Sequence, residues 1–156
     1  MTDVGVDFDA FVAPHLPAMW ALATRLAGPS AREDVYQDAL MTAWRRWSTY
    51  DPSRGTPRTW LLLLVHDRCR KLWRGVRPTA ELVDVAGPDT DLDAHLDVSR
   101  AVAELPHRQR LVVELFYVLG LPVAECAAVM RCTTGTVSST LSDARKALRS
   151  KLEVAE

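Results

Sequence analysis

The chain has 156 residues, of which 48% are hydrophobic and 25% are charged, and its 19 lysines and arginines nearly balance its 20 aspartates and glutamates. This composition excludes a disordered chain, a collagen and a coiled-coil array, and the length allows one domain or two small ones. The formal net charge of −1 also argues against a nucleic-acid-binding protein, because such proteins usually carry a basic excess that neutralises phosphates.

The near-zero net charge is the sum of segments of opposite sign. Residues 1–74 contain ten basic and eight acidic side chains, residues 75–97 contain one and six, and residues 98–156 contain eight and six. Within the first segment, residues 54–74 carry six basic side chains against Asp67 alone. The charge pattern therefore indicates two mildly basic lobes on either side of an acidic stretch.

Cysteine usage and hydropathy indicate the cellular compartment in which the protein works. The three cysteines, Cys69, Cys126 and Cys132, are an odd number without the spacing of a disulfide framework. The N-terminus lacks the pattern of a signal peptide, and the longest aliphatic run, residues 61–65, is too short to cross a bilayer. We expect a soluble cytoplasmic protein without membrane insertion.

The first lobe is predicted to be helical. Apolar residues recur at steps of three and four from Phe8 to Leu26. A break is expected near Pro14 and Pro17, because proline lacks the backbone N–H that a helix interior needs. A further apolar stripe, which includes Trp44, predicts a second helix that runs to about residue 47.

Residues 48–57 are predicted to form a loop because they are rich in proline, glycine and Asx residues. A third helix is expected from about Arg58 to Trp73. Its apolar residues would face inward, and four basic or titratable side chains would lie largely outside: Arg58, His66, Arg70 and Arg74.

Residues 75–90 contain Pro78, Gly87 and Pro88 and show no strong period, which is typical of a linker. The predicted domains are therefore residues 1–74 and 91–156, joined by this acidic segment. We predict an all-α fold of two small helical domains joined by a flexible linker.

The second lobe has the pattern of a helix-turn-helix. A short turn at Arg131 and Cys132 precedes Thr133, a good N-cap, and a helix with Val137 and Leu141 on its apolar stripe. In this motif the second helix enters the major groove of DNA. The residues expected to reach base edges are Thr134, Thr136, Ser138, Ser139 and Ser142, and those expected to hold phosphates are Arg145 and Lys146. The alternative is a helical bundle used for protein contact.

Two motifs on either side of the linker carry a family resemblance. Residues 32–44 (REDVYQDALMTAW) with residues 58–61 (RTWL), and residues 105–110 (LPHRQR) with residues 135–139 (GTVSS), resemble the extracytoplasmic-function (ECF) sigma factors of bacterial RNA polymerase. The resemblance extends from about Phe8 to Leu152. It implies that the first lobe is sigma domain two and the second is sigma domain four.

The resemblance implies partners for the first lobe. The family's docking segment for core RNA polymerase corresponds to Asp34, Gln37, Asp38 and Met41, although spacing alone would favour a solvated acidic face. The family is also commonly held inactive by an anti-sigma factor, so such a partner is expected here.

The resemblance further implies that the loop and the third helix contact the promoter at the minus-10 element. Unstacking a base costs a few kcal/mol, which stacking and hydrogen bonds must offset. The side chains expected near the flipped base are Tyr50, Arg54, Arg58 and Trp60, and those expected along the duplex are His66, Arg70 and Arg74. Trp60 is equally consistent with a core position.

In the family the linker follows the RNA exit path. The acidic residues Glu81, Asp84 and Asp89 would then stand in for RNA phosphate, and a solvated spacer is the alternative.

Several positions depart from the family pattern. Ser138, Thr140 and Asp143 stand where lysine or other basic residues are common, and Asp67 and Lys71 differ on the third helix. Fewer phosphate contacts predict weaker minus-35 binding and a shallower salt dependence. Asp143→Arg is expected to tighten the binding of the second lobe to minus-35 duplex.

The sequence thus predicts an alternative sigma factor that binds core RNA polymerase and promoter DNA and promotes initiation. The rival hypotheses are a two-domain helix-turn-helix regulator that acts without polymerase and a helical protein-interaction module. Phosphate-binding loops and nucleophile motifs are missing from the sequence. Two ligand-like pairs, His66 with Cys69 and Cys126 with Cys132, lie in different lobes without a second pair at zinc spacing. We therefore expect no enzymatic activity of its own, no catalytic residue, no metal and no cofactor.

Overall fold

The computed structural model describes residues 4–75 and 92–154, with side-chain environments from 7 to 74 and from 97 to 153. The described residues are helical and include no strand, as the sequence predicts. These described residues form eight α-helices: α1 (Val4–Val12), α2 (Leu16–Ala27), α3 (Arg32–Arg46), α4 (Pro57–Gly75), α5 (Leu92–Ala103), α6 (His107–Val113), α7 (Val123–Met130) and α8 (Thr134–Val154).

The chain forms two compact units, one built on α1 to α4 and the other on α5, α6 and α8. The predicted acidic linker, with Glu81, Asp84 and Asp89, lies outside the described residues. The predicted domain boundaries therefore stay a prediction.

In the N-terminal unit, α2, α3 and α4 pack on one another. Each helix contributes one apolar face, because residues three and four apart lie on the same side of a helix. The fully buried residues of this core include Met19 and Leu22 of α2, Val35 of α3, and Leu61 and Val65 of α4. Burial of each such side chain contributes roughly 1.5–3 kcal/mol.

The expected break in the first helical pattern is confirmed. Ala13–His15 is a short 3-10 helix that contains Pro14, and Pro17 lies in the first turn of α2. At those places the missing N–H of proline costs no helical hydrogen bond.

Trp44 does not lie fully inside as its apolar stripe suggested. Its side chain is 49% exposed, and its ring meets the edge of Phe8 with 5.1 Å between the ring centroids. The contact with Phe8 therefore covers only part of the indole.

In the C-terminal unit, α6 and α5 pack against α8. The core contains Leu111, Val112 and Leu115 together with Val137 and Leu141 of α8. α6 is followed directly by a π-helical turn, Glu114–Val118. Gly120 then ends this segment at φ +70°, a conformation that favours glycine.

A left-handed residue shapes the turn of the helix-turn-helix. Arg131 has φ 55°, the amide of Cys132 donates to the carbonyl of Ala127 at 3.0 Å, and the amide of Arg131 donates to that of Ala128 at 3.4 Å. This is the hydrogen-bond pattern of a Schellman motif. Thr133 then caps α8, because its hydroxyl oxygen accepts the amide of Thr136 at 3.1 Å, as predicted.

Candidate nucleic-acid and protein interfaces

The polar face of α8 is the first candidate surface. Val137, Leu141 and Ala144 are buried and hold the helix on the unit, which turns the opposite side outward. All seven residues predicted to contact DNA are exposed: Thr134, Thr136, Ser138, Ser139, Ser142, Arg145 and Lys146.

The hydroxyl groups of this face differ in their bonding. The Thr136 hydroxyl lies 3.0 Å from that of Thr133, and the Ser139 hydroxyl donates to the carbonyl of Thr136 at 3.1 Å. Across residues 97–153, the hydroxyls of Thr134, Ser138 and Ser142 have no partner. These three groups are therefore free to bond base edges, whereas Thr136 and Ser139 are bonded to their own helix.

Arg145 is held by a residue that sequence reasoning missed. Its Nε donates to the hydroxyl of Tyr117 at 2.6 Å, and its guanidinium carbon lies 5.7 Å from the centroid of the tyrosine ring. Tyr117 belongs to the π-helical turn and is 52% exposed. Because the two residues lie 28 positions apart, no local pattern in the sequence indicates this contact.

The loop between α3 and α4 is closed by its own hydrogen bonds. The hydroxyl of Tyr50 donates to the carbonyl of Gly55 at 3.0 Å. The carboxylate of Asp51 accepts the hydroxyl of Ser53 at 2.7 Å and its amide at 2.9 Å. These bonds, chiefly the one from the Ser53 hydroxyl, lower the pKa of Asp51, because they stabilise its charged form. The loop is thus ordered without a ligand.

Aromatic rings join this loop to the helices. Phe11 lies 5.1 Å from Tyr50 and 6.0 Å from Trp60, and the rings of Tyr50 and Trp60 are 5.4 Å apart, all measured between centroids. Both Tyr50 and Trp60 are half-buried. Trp60 is therefore part of a ring cluster at the edge of the core, with one part still open to solvent.

The basic residues predicted for the minus-10 element lie in different environments. The side chain of Arg54 is 88% exposed, with its Nε 3.8 Å from the carboxylate of Asp51. Arg70 and Arg74 are exposed, and Arg58 is half-buried. Arg58 also contributes to a lowered pKa of His15, whose first cause is burial.

The expectation that His66 lies outside is wrong, because its side chain is only 8% exposed. Its place on α4 explains this: Leu62 is four residues before it and Cys69 three residues after it, and both are fully buried. Residues at these spacings share one helical face. His66 therefore has little surface to offer to a DNA phosphate.

The polar face of α3 is the candidate polymerase surface. Asp34 and Gln37 are exposed, and Met41 is 50% exposed, which is unusual for a large apolar side chain. The carboxylate of Asp38 lies 2.7 Å from Nε of Arg68 on α4, and both side chains are about two-fifths exposed. Sequence reasoning missed Arg68, whose contact depends on how α3 and α4 pack.

Fold and surfaces together define a two-unit helical protein that carries a helix-turn-helix with an exposed polar face on its second helix. The family model of Sigma-70 region 2 matches residues 11–79, and that of Sigma-70 region 4 matches residues 95–148. Among curated relatives, the ECF RNA polymerase sigma factor SigK of Mycolicibacterium vanbaalenii is 33% identical, over 95% of this chain and 83% of its own. SigL of Mycobacterium tuberculosis is 29% identical, over 89% and 85%.

Solved structures of sigma factors are also similar to this chain. The sigma factor RpoE of Bartonella quintana, crystallised with the anti-sigma factor NepR, is 27% identical with a TM-score of 0.76, and the match covers 96% of this chain and 99% of RpoE. CnrH, solved with the cytosolic domain of CnrY, is 25% identical with a TM-score of 0.73, covering 96% and 89%.

The chain belongs to the ECF sigma factors of bacterial RNA polymerase. It is accordingly an alternative sigma factor, which binds core polymerase, directs it to promoters and promotes transcription initiation. The family assignment favours this function over a regulator that acts without polymerase. Among the described helices, none has both the length and the apolar character needed to cross a membrane.

Proposed function

We propose that three exposed faces of this sigma factor each bind a different partner or promoter element. Asp34, Gln37, Asp38 and Met41 on α3 contact core polymerase, the α3–α4 loop with α4 contacts the minus-10 element, and the polar face of α8 contacts the minus-35 element. One observation carries the proposal: all seven predicted DNA-contacting residues of α8 are exposed, while Val137, Leu141 and Ala144 behind them are buried.

At the minus-10 element, we propose that Arg54 is the side chain nearest the unstacked base. It is 88% exposed at the tip of a loop that Tyr50 and Asp51 already hold in place, so little ordering entropy is lost on binding. Tyr50 and Trp60 offer the open parts of their rings for stacking, and Arg58, in the first turn of α4, is the second basic candidate for this element. Arg70 and Arg74 on the last turns of α4 face the duplex backbone, and His66 is left out because it is buried.

We further infer that the polymerase supplies the chemistry and that this chain has no catalytic residue, metal or cofactor of its own. A cytoplasmic location follows from its work on polymerase and chromosomal DNA. An anti-sigma factor is a proposed partner, supported by RpoE and CnrH, each of which was solved with another protein bound. Domains of residues 1–74 and 91–156, joined by residues 75–90, are supported by the matches to regions 2 and 4.

Run-off transcription with core polymerase tests the assignment of α8. The double variant Ser138→Ala/Ser142→Ala removes two free hydroxyls, and Ser150→Ala, at an exposed position further along the helix, is the matched control. Since a good base contact provides about 1–3 kcal/mol of discrimination, transcript from a minus-35-dependent promoter should fall at least about tenfold in the double variant only. Equal transcript from all three proteins would contradict the assignment.

Pull-down of core polymerase tests the face on α3. Gln37→Ala and Met41→Ala should each reduce the bound polymerase, because both side chains are exposed and central to the face. Asp9→Asn, which changes an exposed polar residue of α1, should not. If the α3 variants retain as much polymerase as the control, the polymerase surface lies elsewhere.

A further inference from the structure

The contact between Tyr117 and Arg145 extends the candidate DNA surface beyond α8. We propose that Tyr117 is a phosphate-binding residue of the minus-35 surface: it orients the guanidinium of Arg145 towards the DNA backbone and donates its own hydroxyl proton to the same backbone. The inference rests on the proposed role of Arg145 in DNA binding, and it adds a residue outside the helix-turn-helix.

The geometry fixes the arginine by two contacts with one side chain. Nε donates to the phenol oxygen at 2.6 Å, and the guanidinium carbon lies 5.7 Å from the ring centroid. The ring of Tyr117 is itself packed edge-on against Phe116, with 5.0 Å between centroids. A guanidinium has five N–H donors, so with Nε occupied the four N–H groups of its two terminal nitrogens are left to bind phosphate.

The partner of Arg145 is uncharged, and this is the main physical argument. Lys151, also on α8, pairs with the carboxylate of Glu104 at 3.2 Å, which cancels most of its field. Within residues 97–153, Arg145 has no carboxylate partner, and Tyr117 orients it while its full positive charge remains. An ordered but unneutralised arginine suits phosphate recognition, since less rotamer entropy is lost on binding.

The hydroxyl of Tyr117 can accept one hydrogen bond and donate another at the same time. Its oxygen accepts the N–H of Arg145, and its own proton stays available for a phosphate oxygen. Tyrosine is one of the side chains that commonly bond phosphates in protein–DNA complexes. Because Tyr117 is 52% exposed, its hydroxyl end is accessible to such a ligand.

The pair also lies on the expected side of α8. Arg145 follows Ser142 by three residues and Ser138 by seven, and at 3.6 residues per turn these positions share one side of the helix. The rise from Ser138 to Arg145 is about 10 Å. The N-terminal turns of a recognition helix meet base edges, so a pair two turns further along is placed to meet the backbone at the edge of the groove.

The test uses the full chain assembled with core polymerase and a promoter fragment that this holoenzyme transcribes from genomic DNA. Closed-complex affinity is measured against salt concentration for Arg145→Ala, Tyr117→Phe and the double variant. Arg145→Ala should weaken binding and reduce the log–log salt slope by about 0.9. Tyr117→Phe should weaken binding about three- to tenfold, with a smaller change in slope because the charge remains. The double variant should lose less than the product of the two single losses.

Two controls accompany these variants. Val118→Ala removes an exposed neighbour of Tyr117 and Lys151→Ala removes one positive charge from α8, and neither should alter the affinity comparably. Thermal unfolding and core-polymerase binding are measured for every variant, so that a folding defect or a loss of polymerase contact is recognised.

Each outcome decides between the two proposals. If Arg145→Ala binds as wild type, the proposed role of Arg145 is wrong and the inference fails with it. If Arg145→Ala weakens binding but Tyr117→Phe does not, the inference about Tyr117 alone is overturned. It is also overturned if the Tyr117→Phe loss is the same with and without Arg145, or if that variant instead binds less core polymerase.

Discussion

The hydroxyl of Tyr50 donates a hydrogen bond to the backbone carbonyl of Gly55 at 3.0 Å, which closes the loop that carries Arg54. The ring of the same tyrosine packs against both Phe11 and Trp60, which also contact each other. One side chain therefore ties the loop both to itself and to the helical core, and the exposed arginine at its tip is presented by a rigid support.

Tyr50→Phe keeps these ring contacts and removes only the hydrogen bond. We expect the free energy of unfolding to fall by about 0.5–1.5 kcal/mol, measured by urea titration, and minus-10 opening to slow. Tyr36→Phe is the matched control, because across residues 7–74 the Tyr36 hydroxyl has no hydrogen-bond partner and its ring contact with Trp20 is kept. Equal losses in both variants would show that the Tyr50 hydroxyl does not stabilise the loop.

Asp38, on the proposed polymerase surface of α3, forms an ion pair with Arg68 of α4. The distance from the carboxylate oxygen of Asp38 to Nε of Arg68 is 2.7 Å. Both side chains are partly solvated, so Arg68→Ala should cost only about 0.2–1 kcal/mol of stability. It also frees the carboxylate of Asp38, which should strengthen core-polymerase binding by about two- to fivefold, measured by competition with the wild-type chain.

Asp38→Asn is the complementary variant for this surface. It removes the charge, so it should weaken polymerase binding while its effect on stability stays similar to that of Arg68→Ala. If both variants change polymerase affinity in the same direction, the carboxylate of Asp38 is not what the polymerase binds.

Periodicity predicted the helices of this fold because each buries one face. Pro14 and Gly120 mark interruptions that their backbone chemistry requires. His66 shows the limit of the same argument: as a polar residue it was expected outside, but its spacing from Leu62 and Cys69 places it on the buried face. The face of the helix decided its burial, and the residue type did not.

Contacts between distant parts of the chain could not be predicted in this way. Tyr117 and Arg145 are 28 residues apart, and Asp38 meets Arg68 only because α3 packs on α4. The π-helical turn, Glu114–Val118, was also missed, since its apolar residues continue the period of α6. The exposed residues of α8 were predicted because the buried stripe of that helix determines them directly.

Burial raises the pKa of the Cys126 thiol to about 11, and its sulfur lies 3.6 Å from the carbonyl of Leu121. At pH 8 its thiolate population should be about a hundredfold below that of a thiol with the ordinary pKa of 9.0. Iodoacetamide should therefore modify the half-buried Cys132 well before Cys126, as followed by peptide mass spectrometry. Faster labelling of Cys126 in the folded chain would show that the α7 region opens readily.

Burial, with a smaller contribution from the charge of Arg58, lowers the pKa of His15 below its ordinary 6.5. The unfolded chain therefore binds a proton in a pH range where the folded chain does not. The contribution of His15 to the free energy of unfolding is therefore fully present above pH 6.5. It is lost progressively as the pH falls from there through the pKa of the folded state. Urea unfolding at pH 7.5 and pH 5 should show this loss, and His15→Gln should reduce it. An unchanged difference in the variant would assign the pH dependence to other groups.

Asp143 is an exposed carboxylate on the DNA-facing half of α8, and among residues 97–153 it has no ion-pair partner. It should repel the phosphate backbone, so Asp143→Arg both removes a repulsion and adds a phosphate contact. We expect minus-35 duplex to bind about three- to tenfold more tightly near 0.15 M salt, with the log–log salt slope steeper by about 0.9.

Glu153→Arg makes the same charge change at an exposed position near the end of α8 and should have little effect. If fluorescence titration of the full chain shows no tightening for Asp143→Arg, or equal tightening for both variants, position 143 does not face the backbone. The gain would then be only the general effect of added positive charge.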